Sequence, residues 1–230
     1  MNSEKKIPGL VWLLSALLFF YGFFLGGQQM MIVNIGQWFG VSTAVQGTLV
    51  SAQHMTAVAA PPVMGALADK FGKKPVLICF SFVFGIGCLL AALSVHIGIY
   101  IAAVCLIGAG YSVCETLCSA VCSDISAEHG AQYINMTQCL LSVGAIVSPL
   151  LLKVLNATWQ LLFAICATAF TVLAVLVWTV RFPQASKAEK AEKTSRRFLL
   201  SPLFISLFTG IVIYVGLENG FGYFVEPLFA

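Results

Sequence analysis

Seven apolar runs, each of about twenty residues or more, divide this chain and leave it few ways to fold. They cover residues 9–33, 44–66, 75–96, 98–122, 132–153, 158–181 and 202–226. A helix needs about 20 mostly apolar residues to cross the hydrocarbon core of a bilayer. The runs therefore predict seven membrane-spanning helices. Composition closes the other route. The chain is 60% hydrophobic and 9% charged, where a soluble domain carries roughly 25% charged residues. A chain of 230 residues folded in water could not hide so much apolar surface, because a domain of that size still exposes much of it. The expected class is an all-α integral membrane protein. The first run is too long for the apolar region of a cleaved signal peptide, and no small-residue cleavage site follows it cleanly.

The twelve Lys and Arg residues set the orientation. Lys5 and Lys6 precede the first run. Lys70, Lys73 and Lys74 lie between the second and third. Arg181, Lys187, Lys190, Lys193, Arg196 and Arg197 lie between the sixth and seventh. Lys153 alone falls on the other side. By the positive-inside rule the N-terminus is expected in the cytoplasm, in a multi-pass protein of the plasma membrane. The basic residues are spread over loops, so no nucleic-acid partner is expected; the lipid bilayer is the expected surrounding. The eight cysteines all lie in apolar runs without metal-site or disulfide-framework spacing. They are expected to be free thiols acting as small apolar residues.

The segment Pro183–Ser195 is rich in Ala, Lys and Glu and has no apolar period. It suggests three parts: a six-helix domain over 1–182, a cytoplasmic linker over 183–200, and a seventh helix over 201–230.

Several polar residues lie inside the apolar runs. Glu115 is deep in the fourth, where an ionised carboxylate costs roughly 2.5–3.5 kcal/mol on insertion scales. It persists there if it faces a cavity, is paired, or carries its proton, and it is a candidate for binding solute or protons. The alternative is a buried acid that bonds a neighbouring helix for packing alone. Glu218 and Asn219, flanked by Gly216, Gly220 and Gly222, form a second such candidate. Gln28 and Gln29 can both donate and accept, as sugar-like hydroxyls require, or can serve as interhelical glue. His54, beside Gln53, is read more readily as a packing hydrogen-bonder than as a proton relay. Asn135 and Gln138 could reach a cavity or a cytoplasmic gate. Cys114, Cys118 and Cys122 repeat on one face; with no Met or His on that stripe, packing is favoured over a soft-metal path. No metal and no cofactor are expected.

Residues Gly65–Pro75 read Gly-Ala-Leu-Ala-Asp-Lys-Phe-Gly-Lys-Lys-Pro, with four charges in six residues between two apolar runs. Gly65, Leu67, Asp69, Lys70, Gly72, Lys73 and Lys74 fit a pattern that resembles the loop signature of the major facilitator superfamily. The resemblance implies a six-helix N-terminal bundle plus the first helix of a second half, five further spans being missing. It implies a cytoplasmic gate at this loop, where Asp69 caps a helix or pairs with Lys and closes partly against an eleventh helix. Tyr21-Gly22, Glu115-Thr116, Gly144–Pro149 and Tyr214–Gly222 are similar to the fucose/glucose permease-type branch. That branch carries an acid in its first span, and this chain does not.

The implied activity is secondary active transport of a small polar solute, sugars included, by alternating access. Protons are the expected coupling ion, through Glu115. The alternatives are drug efflux within the same superfamily and a non-transporting seven-span protein. An enzyme is not expected: a membrane hydrolase would need His clusters or paired membrane acids.

Overall fold

A computed structural model describes residues 8–126, 128–182 and 201–229. Among the described residues there are seven helices: α1 Gly9–Phe39, α2 Thr43–Phe71, α3 Lys73–Ala92, α4 Ile97–Ile125, α5 Gly130–Val154, α6 Trp159–Thr179 and α7 Pro202–Phe229. The chain forms two compact units, Met1–Pro183 and Gln184–Ala230. The first holds α1 to α6 and the second holds α7. Lys5, Lys6 and the expected linker over 183–200 lie outside the described residues.

Each expected run became a helix, and most helices extend past their apolar part. α1 continues six residues beyond the expected end, to Phe39. It stops because Gly40 takes the left-handed conformation, φ 63°. Gly40 N–H then bonds the Gln37 carbonyl at 3.2 Å and Val41 N–H bonds Gly36 at 2.9 Å, the Schellman pattern that satisfies carbonyls at a helix end. α5 ends the same way with Asn156, φ 47°, one of the few non-glycine residue types that tolerates this region. Two residues later the Thr158 hydroxyl caps α6 by accepting from Leu161 N–H at 3.4 Å.

Six of the seven helices are long and apolar enough to cross a membrane. The exception to the expected seven is α2. At 29 residues it is long enough, but Gln46, Gln53, His54, Asp69 and Lys70 dilute its apolar character.

Apart from α3 on α4, the main packing partners in the first unit are not consecutive helices. α1 packs mainly on α5 and α6, α3 on α4 and α6, and α2 on α4. Glycine explains the α1–α5 contact. A Cβ at Gly22 would overlap the Leu141 carbonyl oxygen, one at Gly26 the Ala145 carbonyl, and one at Gly144 the Phe19 carbonyl. Three missing side chains let two backbones touch, which gains dispersion contacts that lipid cannot supply. Phe24, Phe84, Phe163 and Phe170 fill the space between α1, α3 and α6; the Phe84 and Phe170 centroids are 4.0 Å apart. Cys88, Cys114, Cys118, Cys122 and Cys166 are buried free thiols and pack as small apolar groups.

The outside of the bundle is apolar: Trp12, Val58, Ile86, Leu89, Val154, Val172 and Trp178 are all exposed. A protein in water rarely shows so broad an apolar surface; in a bilayer this face is solvated by acyl chains.

Candidate functional site

The middle of α4 collects the chemistry. Its small residues Gly108, Gly110 and Ser112 let neighbours come close. A Cβ at Gly108 would overlap the Gln53 carbonyl oxygen of α2, and one at Gly110 would press on the Phe84 backbone of α3 at 2.7 Å. Glu115 lies ten residues before the end of α4, about 15 Å along the axis at 1.5 Å per residue. It is half-buried, and Gln138 of α5 lies beside it. Thr116 is exposed and bonds back to the Ser112 carbonyl at 2.8 Å.

One turn before Glu115, Tyr111 stacks on Tyr21 of α1. Their ring centroids are 4.6 Å apart and the planes meet at 16°. Both rings are buried. The structure thus brings a carboxyl, an amide and two phenols from α1, α4 and α5 into one layer of the bundle. The α1 contribution follows from the glycine interface, since Tyr21 is next to Gly22.

Gln28 and Gln53 form a second polar pair, between α1 and α2. Each amide donates to the other, at 2.8 and 3.2 Å, and both side chains are fully buried. Reciprocal bonding suits two amides in a medium without water, where an unmet donor costs several kcal/mol. Gln29 is half-buried and Asn135 is exposed on α5. His54 is half-buried, with Nδ1 2.9 Å from the Val50 carbonyl. A carbonyl only accepts, so Nδ1 carries the proton. Glu218 is exposed on α7, in the other compact unit; the Asn219 side chain lies outside the described residues. The sequence alone did not single out Tyr111 as part of the site. Its signal was available: Tyr111 stands four residues before Glu115 on the same helix face.

The basic loop is a single residue. α2 ends at Phe71, α3 begins at Lys73, and Gly72 joins them with φ 92° and ψ 154°. That conformation belongs to glycine, which is the physical reason for a glycine at this point of the motif. Gly65 is an ordinary helical residue with open space around it. Asp69 corrects an expectation. It lies within the last turn of α2, and the N-cap of α3 is Gly72, so Asp69 caps no helix. Among the described residues it is the lysines that make the contacts. Lys73 pairs with Asp124 of α4 at 2.6 Å and reaches the Ala120 carbonyl at 3.4 Å. Lys74 donates to the Trp178 and Val180 carbonyls at the end of α6, at 2.7 and 2.9 Å. Lys70 is exposed, with its ammonium 5.2 Å from the Phe71 ring centroid.

Comparison with known proteins adds three kinds of likeness. The family described as Major Facilitator Superfamily matches residues 12–229. Among curated proteins, the efflux pump dotC of Dothistroma septosporum is 31% identical over 127 residues, 54% of this chain and 22% of that protein. Plastidic glucose transporter 4 of Arabidopsis thaliana is 27% identical over 214 residues, 84% of this chain and 39% of that protein. Multidrug resistance protein MdtL of Escherichia coli is 28% identical over 160 residues, 65% of this chain and 41% of that protein. The chain therefore aligns with well under half the length of these relatives. The crystal structure of the POT family transporter PepTSo has a TM-score of 0.60 at 19% identity, covering 75% of this chain and 37% of that one. At that identity the likeness is one of fold.

Proposed function

The chain belongs to the Major Facilitator Superfamily, and we propose that it is the first half, with one helix of the second, of a secondary active transporter for a small polar solute. Sugars and polyols are the favoured class. The transporter works by alternating access, with protons as the coupling ion and Glu115 as the proton-carrying group. It sits in the plasma membrane with its N-terminus and the Gly72 turn between α2 and α3 in the cytoplasm.

One observation carries this reading: Glu115 lies in mid-span beside Gln138 and one turn from the stacked Tyr21–Tyr111 pair. Carboxyl, amide and phenol groups supply donors, acceptors and a ring edge, which suits a hydroxylated solute. Among the described residues the layer holds no basic side chain, which disfavours anions. Alternating access needs each half to rock as a stiff body. The glycine contact of α1 with α5, and the Lys73 and Lys74 bonds across α3, α4 and α6, supply that stiffness.

The test is uptake by the complete gene product in proteoliposomes. Glu115→Gln is expected to abolish uptake driven by a pH gradient, by at least tenfold, while solute exchange at equal pH persists. Unchanged pH-driven uptake would remove Glu115 from coupling. A second reading, drug efflux, is favoured by the 31% identity to an efflux pump. A solute panel separates the two. Counterflow of hexoses or polyols supports the first, and proton-coupled extrusion of cationic dyes supports the second.

A further inference from the structure

A cavity of ≈ 430 Å³ lies between α3 and α6, lined by Lys74, Pro75, Ile78, Cys79, Phe82 and Trp178. It is separate from the polar layer around Glu115 and opens on the outer face of the bundle. Cys79 and Trp178 are exposed there, the latter by 68%. Its size falls in the range of ligand sites, roughly 300–1,000 Å³. Apart from one ammonium, its walls are apolar.

We propose that this groove holds one acyl chain of an anionic phospholipid, with the lipid phosphate at Lys74. Three observations carry this. First, the cavity continues an apolar stripe. Pro75, Cys79, Phe82, Ile86 and Leu89 follow one another at spacings of three or four on α3, and Ile86 and Leu89 are exposed. From Lys74 to Phe82 is eight residues, about 12 Å along the helix, so the groove runs from one end of the bundle into hydrocarbon depth. Second, its charge sits at the end where a phosphate would be. Basic pockets between helices at the membrane surface suit lipid headgroups. Third, the two neighbouring lysines differ in how they are neutralised. Lys73 is compensated by the Asp124 carboxylate at 2.6 Å. Lys74 donates to two neutral carbonyls, of Trp178 and Val180. Among the described residues no carboxylate pairs with it, and an ammonium has a third N–H to give. A soluble anion would find no use for the apolar walls.

Cys79 is a reporter built into the groove. The experiment uses the full chain, delipidated in detergent and returned to bilayers of phosphatidylcholine alone or with phosphatidylglycerol. Alkylation of Cys79 by N-ethylmaleimide is followed by peptide mass spectrometry. Phosphatidylglycerol is expected to slow alkylation about fivefold, and inorganic phosphate is expected to have no effect. Lys74→Gln should remove the protection. Ile78→Trp, which fills the groove while keeping Lys74, should abolish retention of phosphatidylglycerol in native mass spectrometry; it guards against a Lys74 variant that fails to fold. Equal alkylation rates in the two bilayers would overturn the proposal, as would protection by phosphate alone. Full protection with no lipid added would assign the groove to another part of the chain and also overturn it.

Discussion

The two ends of the six-helix unit are fastened by different physics. At one end Trp38, Phe39, Tyr100, Trp159 and Phe163 join α1, α4 and α6 through ring contacts with centroids 5.4–6.1 Å apart. At the other end, α3 is tied to α4 by Lys73–Asp124 and to α6 by Lys74 and two carbonyls. Ring packing carries no net charge, is indifferent to salt, and is given up only by losing many contacts at once. Bonds from lysine are few, directional and screened. The lesson is that the basic end is the one that small changes of charge can loosen, whereas the aromatic end behaves as a fixed pivot. Lys74 also meets α6 where its last carbonyls have no helical partner and the helix dipole is negative.

The contrast can be broken in steps. Trp159→Ala should cost most, about 3 kcal/mol, since truncating a buried large aromatic leaves an unfilled space. The loss should be the same in low and high salt when thermal unfolding is followed in detergent. A cost below about 1 kcal/mol would show that the aromatic end is not a pivot. Next is Gly72→Ala at the basic end, expected to cost about 2 kcal/mol, because φ 92° is strained for any residue with a Cβ. Gly65→Ala in the same motif should be neutral or slightly stabilising, since Gly65 is helical with open space around it. If both glycines behaved alike, the turn would owe nothing to Gly72. Lys74→Met should cost about 1 kcal/mol, the loss of charge-assisted bonds to carbonyls that water can partly replace. Smallest is the Lys73–Asp124 coupling, about 0.5 kcal/mol in a double-mutant cycle of Lys73→Met and Asp124→Asn. It should fade in 1 M salt; a coupling that survives high salt would mean that both ends are held alike.

The helices themselves were legible, because twenty apolar residues have one main use. Their stops were legible less well. Gly40 and Asn156 end α1 and α5 through left-handed conformations that the apolar runs do not mark. Glu115 was legible from the cost of its position. Its companions were not: Tyr21 meets Tyr111, and Gln28 meets Gln53, only because α1 packs across the chain order, a choice made by Gly22, Gly26 and Gly144. The capping alternative for Asp69 fails for a related reason. A capping role supposes a loop of several residues, and the turn is one glycine long.

That same glycine seam sets a schedule for making the protein. Gly26 is synthesised about 120 residues before Ala145, the residue whose backbone it will touch. At 5–20 residues per second the wait is roughly 6–24 s. During that time α1 sits in the membrane with a bare Gly22-x-x-x-Gly26 face, a pattern suited to helix dimers. Helix α1 thus waits longer for its partner than α3 or α4 does, and a newly made chain is most open to pairing with a wrong one until α5 arrives.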